Sequence, residues 1–480
     1  MRTPGAERSA PRSAAAHTVF AGRNRVRDAV SLITVYIVLL FAIPSNVTIV
    51  GLGSLGRPAM LWGVGLFVFW TLSRLGWRGS PGGQRVTQPV RLAFIVYLVI
   101  VLVSFAAALL RGQPEDQVSP VISSIITVAS WAGVVLVIID GVRTMNEVGA
   151  LLRRIAVGAA MLAALALAQV ITQDYLLDFW RSIPGFSVGF GGLAERNGQV
   201  RAAATATHPL EFVTTINAAL SICVAAALSG GFRTRPSRAA MWWWWAATAW
   251  IAIVALTGLS RTAIIGFAVA LLAMIPVVPR QHRVWVIVGS AAISVALVAA
   301  VPGLAGSTIR LFTGASEDGS TLSRTDALAR LAEFMSPSPI IGVGPGVFLP
   351  RYYIFDNEWA VSAIQLGVLG VLAFGALVIA AAWSAAHARR VSGDPEVRIA
   401  GFALTVAVLN ISLQFAFFDG LSFPIAAGLF FVLVGLCAAI RTAGAAGETL
   451  PSAAVSPDRN TERSERSRFP PRAATDAASE

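Results

Sequence analysis

Residues 303–357, with Glu358 at their edge, form the one long polar interruption in the second half of an otherwise apolar chain. They carry Arg310, Glu317, Asp318, Arg324, Asp326, Arg330, Glu333, Arg351 and Asp356. Asp356-Asn357-Glu358 opens a long apolar helix. Asp or Asn caps a helix start well, and acidic groups there suit the helix dipole. The same carboxylates stand at a membrane boundary, where one could serve as a base. Upstream, Ser323-Arg-Thr-Asp326 matches a capping box with Ser323 as N-cap. Leu328, Leu331 and Phe334 follow at helical spacing and predict a short amphipathic helix ending near Met335, before Pro337. This helix either covers exposed helix ends or acts as a lid that carries Arg324 and Arg330 to a substrate.

Three more polar residues sit at helix junctions. His208 precedes Pro209, which suits a first helical turn, and Arg201 lies just upstream. A lone histidine there is either structural or functional. Ser260-Arg261 occupies so short a connection that Arg261 must lie near the hydrocarbon, where it either snorkels or serves a site. Gly342-Val-Gly-Pro-Gly346 follows no strand and lacks Gly-Lys-Ser/Thr, so it reads as a tight backbone turn rather than a phosphate loop.

The elements that hold these residues are membrane helices. The chain has 480 residues, 56% hydrophobic and 13% charged, with mean hydropathy +0.70. Soluble domains carry about 25% charged residues. Long apolar runs predict an all-α, polytopic bundle of about twelve spans. They fall near 29–49, 58–74, 91–110, 119–139, 149–171, 209–230, 240–257, 261–279, 284–302, 358–384, 398–417 and 421–440. Residues 29–302 thus hold nine spans, 303–357 a large extracytoplasmic loop, and 358–441 three more. The tails, 1–28 and 442–480, read as disordered.

The sequence has no lysine, so arginine supplies all 37 of its Lys/Arg cations, and the net charge is +12. The arginines concentrate before the first span and in alternate short loops, which places both termini in the cytoplasm. Their scatter between apolar helices argues against nucleic-acid binding. The run Trp242–Trp245 reads as an interfacial belt. Cys223 and Cys437 lie within apolar runs, and the four histidines are dispersed, so no disulfide framework or metal site follows.

Four patches together resemble the O-antigen ligase / polysaccharide polymerase family of bacterial envelope glycan assembly. They are Arg201 with His208-Pro209; Ser260-Arg261-Thr-Ala; Arg324 with Pro339-Ile-Ile-Gly-Val-Gly-Pro-Gly346; and Asp356-Asn357 followed by Gln365-Leu-Gly-Val-Leu-Gly370. They span roughly 200–385. The resemblance implies glycan transfer from a polyprenyl diphosphate to an acceptor glycan or lipid, outside the bacterial cytoplasmic membrane, with no cofactor and no metal. Under it, Arg201, Arg261, Arg324, Arg351 and Asn357 would bind diphosphate or substrate, since arginine forks suit phosphate oxygens. Asp356, Glu358 and His208 would be the candidates for the base.

Such ligases place a histidine before the asparagine of the last patch, where this chain has Asp356. Either aspartate is the base, or the chain is a polymerase rather than a lipid-A-type ligase, or activity is lost. A polymerase-like or exopolysaccharide role fits best. The metal-dependent class of lipid-linked glycosyltransferase would put an acidic pair in the first outer loop, and Pro44–Arg57 has no acid. A flippase or other secondary transporter is the alternative, though the spans offer it only Asn217, Asn410 and Gln414 as polar groups.

Overall fold

The computed structural model describes residues 29–75, 87–189, 193–196, 199–233, 236–257, 260–281, 283–284, 287–289 and 319–448. Among them, nine helices are long and apolar enough to cross a membrane, and the chain is a multi-pass membrane protein. These are α2 (Pro58–Leu75), α3 (Pro89–Leu110), α4 (Glu115–Gly141), α5 (Met145–Thr172), α6 (Pro209–Ser229), α7 (Arg238–Leu256), α10 (Glu358–Val391), α11 (Pro395–Gln414) and α12 (Pro424–Glu448). Two shorter apolar helices are α1 (Ala29–Ala42) and α8 (Arg261–Met274). The expected span at 284–302 lies mostly outside the described residues, as do the tail 1–28 and residues 449–480. Residues 442–448, expected in the second tail, instead continue α12.

The first helix is shorter than the expected 29–49. Pro44 ends it, because proline disfavours helical backbone in the residue before it. Val47–Ile49 (β1) then pairs antiparallel with Phe186–Val188 (β2), and Ala194–Arg196 (β3) pairs with Gln199–Arg201 (β4). The bundle itself is helical, with these two ribbons in its loops.

Helices α6 and α12 form the centre, each with 89% of its apolar window buried. Small residues set their neighbours' spacing. A Cβ on Gly133 of α4 would lie 2.2 Å from the Gly63 carbonyl of α2, so those two backbones touch. Within the apolar interior, Asn217 donates to the Ala263 carbonyl and to Gln414, and Asn410 donates to the Gly266 carbonyl. The polar groups in the spans thus bond to one another and to backbone, which gives them a packing role.

One end of the bundle gathers arginines. Arg74 and Arg91 both pair with Asp140, Arg154 bonds Thr34, and Gln88 bonds Thr442. The start of α1 and the end of α12 lie at this end, because Gly141 abuts Ala29. Exposed Trp242 and Trp243 lie in the first turns of α7. The opposite end carries the long loops.

Helix α9 (Gly319–Met335) belongs to the loop end. Gly319 and Ser320 are already helical, so Ser323 lies inside the helix and does not cap it. The buried face is Ala327 with Leu331, Phe334 and Met335 against Phe355 and Ile364, while Leu328 stays exposed. The i, i+4 pair 327/331 therefore sets the face, rather than the expected stripe through Leu328.

Helix α10 is not continuous. Gly367 breaks it at φ 70°, ψ −170°, a region open essentially only to glycine. Unmatched backbone groups in hydrocarbon cost several kcal/mol each. Here the segment Pro339–Gly346 answers them. Val343 and Gly344 donate to the Ile364 and Gln365 carbonyls at 3.0 and 2.9 Å. Val368 and Leu369 donate to the Pro339 and Ile340 carbonyls at 2.9 and 3.2 Å. Ser104 of α3 adds a bond to the Gln365 carbonyl. The contact is backbone on backbone: a Cβ on Gly342 would lie 2.2 Å from Gln365, and one on Gly367 would lie 2.3 Å from Ile340. The expected glycine turn is there, with positive φ at Gly342, Gly344 and Gly346, and it also plugs a broken helix.

Gly367→Ala is expected to lower the thermal midpoint of the detergent-solubilised protein strongly, since backbone strain alone is worth about 1–3 kcal/mol and the clash adds to it. Gly65→Ala, in a helical position with open space around it, should leave the midpoint unchanged or slightly raised. Equal midpoints for both variants in thermal unfolding would refute the plug.

Candidate functional site

The loop from Phe415 to Phe423, between α11 and α12, is the hub of the loop end. Glu358, 4% exposed at the start of α10, grips it from one side. Its backbone N–H donates to the Phe415 and Phe418 carbonyls at 2.8 and 3.1 Å. Its carboxylate accepts from the Leu421 N–H at 2.9 Å and from Ser362 at 3.0 Å. Glu211, fully buried in the first turn of α6, grips the other side by accepting from the Ile425 N–H at 2.6 Å. Its second oxygen accepts from the Thr207 N–H and from Ser45. Buried carboxylates need such donors. The two glutamates join α1, α6, α10, α11 and α12 at one mouth.

His208 is the N-cap of α6. Its Nδ1 accepts from the Leu210 N–H at 3.2 Å, and its ring lies 5.9 Å from that of Phe423. Burial, reinforced by the nearby positive charge of Arg201, pulls its pKa down to about 4. The imidazole is therefore neutral near pH 7. With Nδ1 occupied as an acceptor, the ring proton sits on Nε2. In this tautomer Nε2 is the donor of the His208 ring. Arg201 sits at the end of β4.

Asp356 turns the chain into α10 at φ 43°, a left-handed conformation that aspartate tolerates better than most side chains. Asn357 caps the helix, its Oδ1 accepting from the Trp359 and Ala360 N–H groups at 2.9 and 3.2 Å. Across the mouth stands Asp419. Burial, with the like charge of Asp356 adding to it, pushes Asp419 up to about 6, against the lowering effect of a hydrogen bond with Ser422.

Of the other expected site residues, Arg261 opens α8 directly after its N-cap Ser260, and the bonds from Asn217 hold that helix start beside the end of α11. Arg351 pairs with Asp116 at the start of α4 and bonds Tyr352. Arg324 is on α9, with its side chain outside the described residues. The structure thus brings Asp356, Asn357, Glu358 and His208 to one mouth, with Arg201 in electrostatic reach of His208, while Arg351 is engaged on another wall. Glu358 is committed to holding the loop.

Asp419 and Glu211 escaped the sequence reading. Asp419 is the one acid in the short link between the last two spans, and an acid at that boundary is the signal that could have flagged it. Glu211 stands in the His208-Pro209 patch, where it resembles an ordinary first-turn acid.

No match was found among curated proteins. The stretch from the second half of α7 to the first half of α10 does match a known family, and it contains Arg261, the plug, Asp356 and the break at Gly367. Residues 245–375 match the family model Wzy_C, described as O-Antigen ligase, so this part of the chain is similar to the O-antigen ligase family.

Proposed function

We propose that the protein transfers a glycan from a polyprenyl diphosphate to an acceptor sugar, at the loop end of the bundle. It acts as a polysaccharide polymerase or O-antigen-ligase-like enzyme in envelope or exopolysaccharide assembly. The family implies lipid-linked glycan transfer in such pathways. The observation that carries the reading is that Asp356-Asn357-Glu358 at the start of α10 and His208 at the start of α6 both meet the loop that carries Asp419, at a membrane boundary.

In the reaction, an acceptor hydroxyl attacks the anomeric carbon, the bond from that carbon to the diphosphate breaks, and the hydroxyl proton passes to a carboxylate. Asp356 takes that proton. Asp419 keeps a negative neighbour beside it and raises its basicity, which brings the pair nearer to the working pH. Arg201 and Arg261 stabilise the diphosphate as it leaves with the polyprenyl chain. His208 donates Nε2–H to a sugar or phosphate oxygen. Glu358 and Asn357 hold Asp356 in place. The arginine-rich end, where α1 starts and α12 ends, faces the cytoplasm, and the mouth opens outside.

Asp356→Asn should lower glycan transfer in membrane vesicles by about 10²–10⁴-fold at every pH, as expected for loss of a general base. In the native protein the rate should rise with pH as the carboxylates at the mouth deprotonate, Asp419 doing so near about 6. Asp419→Asn should move this acid limb to lower pH, since Asp356 then faces no like charge. An unchanged limb would show that the pair does not titrate together.

Both native cysteines are buried, which leaves a quiet background for labelling. Glu115→Cys, at the loop end, should react with an impermeant maleimide on intact cells. Gly393→Cys, at the opposite end, should react only after lysis. The reverse pattern would invert the orientation.

A further inference from the structure

A cavity opens beside the hub loop, lined by Leu421 and Ser422 of that loop and by Pro424 at the start of α12. Its apolar wall is Tyr36 and Leu40 of α1, Met60 of α2 and Trp131 of α4. Ser422 and Arg57 stand at its rim. Arg57 directly precedes α2, in the first outer loop. Its Nε is buried and has no hydrogen-bond partner among the described residues. Its electrostatic neighbour Glu211 spends both carboxylate oxygens on Ile425, Thr207 and Ser45. Glu211 therefore offsets the charge of Arg57 without filling its hydrogen-bonding fork. Burial without such a fork partner disfavours the charged guanidinium, and its pKa is lowered accordingly.

We infer that Arg57 binds a phosphate group carried on an isoprenoid chain, with the first isoprene units lying along Tyr36, Leu40, Met60 and Trp131. An arginine fork meets phosphate oxygens in a paired geometry that no single carboxylate oxygen here supplies. The cavity sets one cation, Arg57, beside an aromatic and aliphatic wall, the two chemistries such a ligand carries. Ser422 belongs to the same loop as Asp419, so a diphosphate on Arg57 places its glycan toward the carboxylates. This inference rests on the proposed transfer reaction and assigns its lipid donor a seat.

Binding of geranylgeranyl diphosphate to the full-length protein in phosphatidylcholine nanodiscs tests it, with inorganic pyrophosphate and phosphatidylglycerol as competitors. Arg57→Gln should weaken binding by about tenfold or more, and Arg57→Lys by less, since lysine keeps the charge without the fork. Met60→Trp fills the cavity but keeps the arginine. It should weaken the isoprenoid diphosphate while leaving pyrophosphate binding unchanged. Should Arg57→Gln fail to fold, Arg57→Lys and Met60→Trp decide, and native affinity in both refutes the inference. Native affinity in folded Arg57→Gln refutes the seat and leaves the transfer reaction standing. If the native protein binds no isoprenoid diphosphate, both readings fall. Displacement by phosphatidylglycerol at equal affinity would make the cavity a general lipid-headgroup site and refute it as well.

Discussion

A helix broken inside an apolar bundle frees main-chain groups that no water can satisfy. The break at Gly367 exists only because Pro339–Gly346 lies in it and takes up the carbonyls and N–H groups on both sides. Glycine at 342 and 367 lets the two backbones touch without side chains between them. The return path of the chain is fixed as a result. Phe348, Tyr353 and Phe355 pack over the plug against α9, and the segment leaves this cluster at Asp356. The carboxylate at the mouth is placed by a backbone contact one helix segment below it.

Around the mouth, buried charge is used for construction as well as chemistry. Glu211 and Glu358 occupy positions where an unpaired carboxylate would be very unfavourable, and each accepts backbone N–H groups from the turn that begins α12. Asp356 and Asp419 belong to separate elements, brought together because Glu358 holds the hub loop against α10. A substitution at Glu358 would therefore look catalytic while acting through position.

Hydropathy made most of the fold legible, since a span of α3 or α12 admits few other readings. Two of the four patches proved to be the halves of one device: the glycines of 339–346 and those of 365–370 make the same contact. The break itself was invisible, because Gln365-Leu-Gly-Val-Leu-Gly370 is as apolar as an unbroken helix. The capping motif at Ser323 failed for a related reason. Local side-chain patterns compete with helix that begins earlier and packs on Phe355. Asp419 and Arg57 were legible only as boundary charges, which in a membrane protein are common. Proximity across distant segments gave them meaning, and no spacing within one segment carries that information.

The two fastenings of the site differ in reach along the chain. The plug joins segments that are near neighbours in sequence, so it can close while the polypeptide is still being inserted. The Glu358 clamp needs Phe415–Leu421, and the Glu211 clamp needs Ile425, near the last helix to enter the bilayer. The broken helix can thus be made safe early, whereas the paired carboxylates meet only when the final hairpin docks. A chain cut short before α12 would lack one of the two central helices and the Ile425 contact of Glu211, so the loop end is assembled only with the last step of biogenesis.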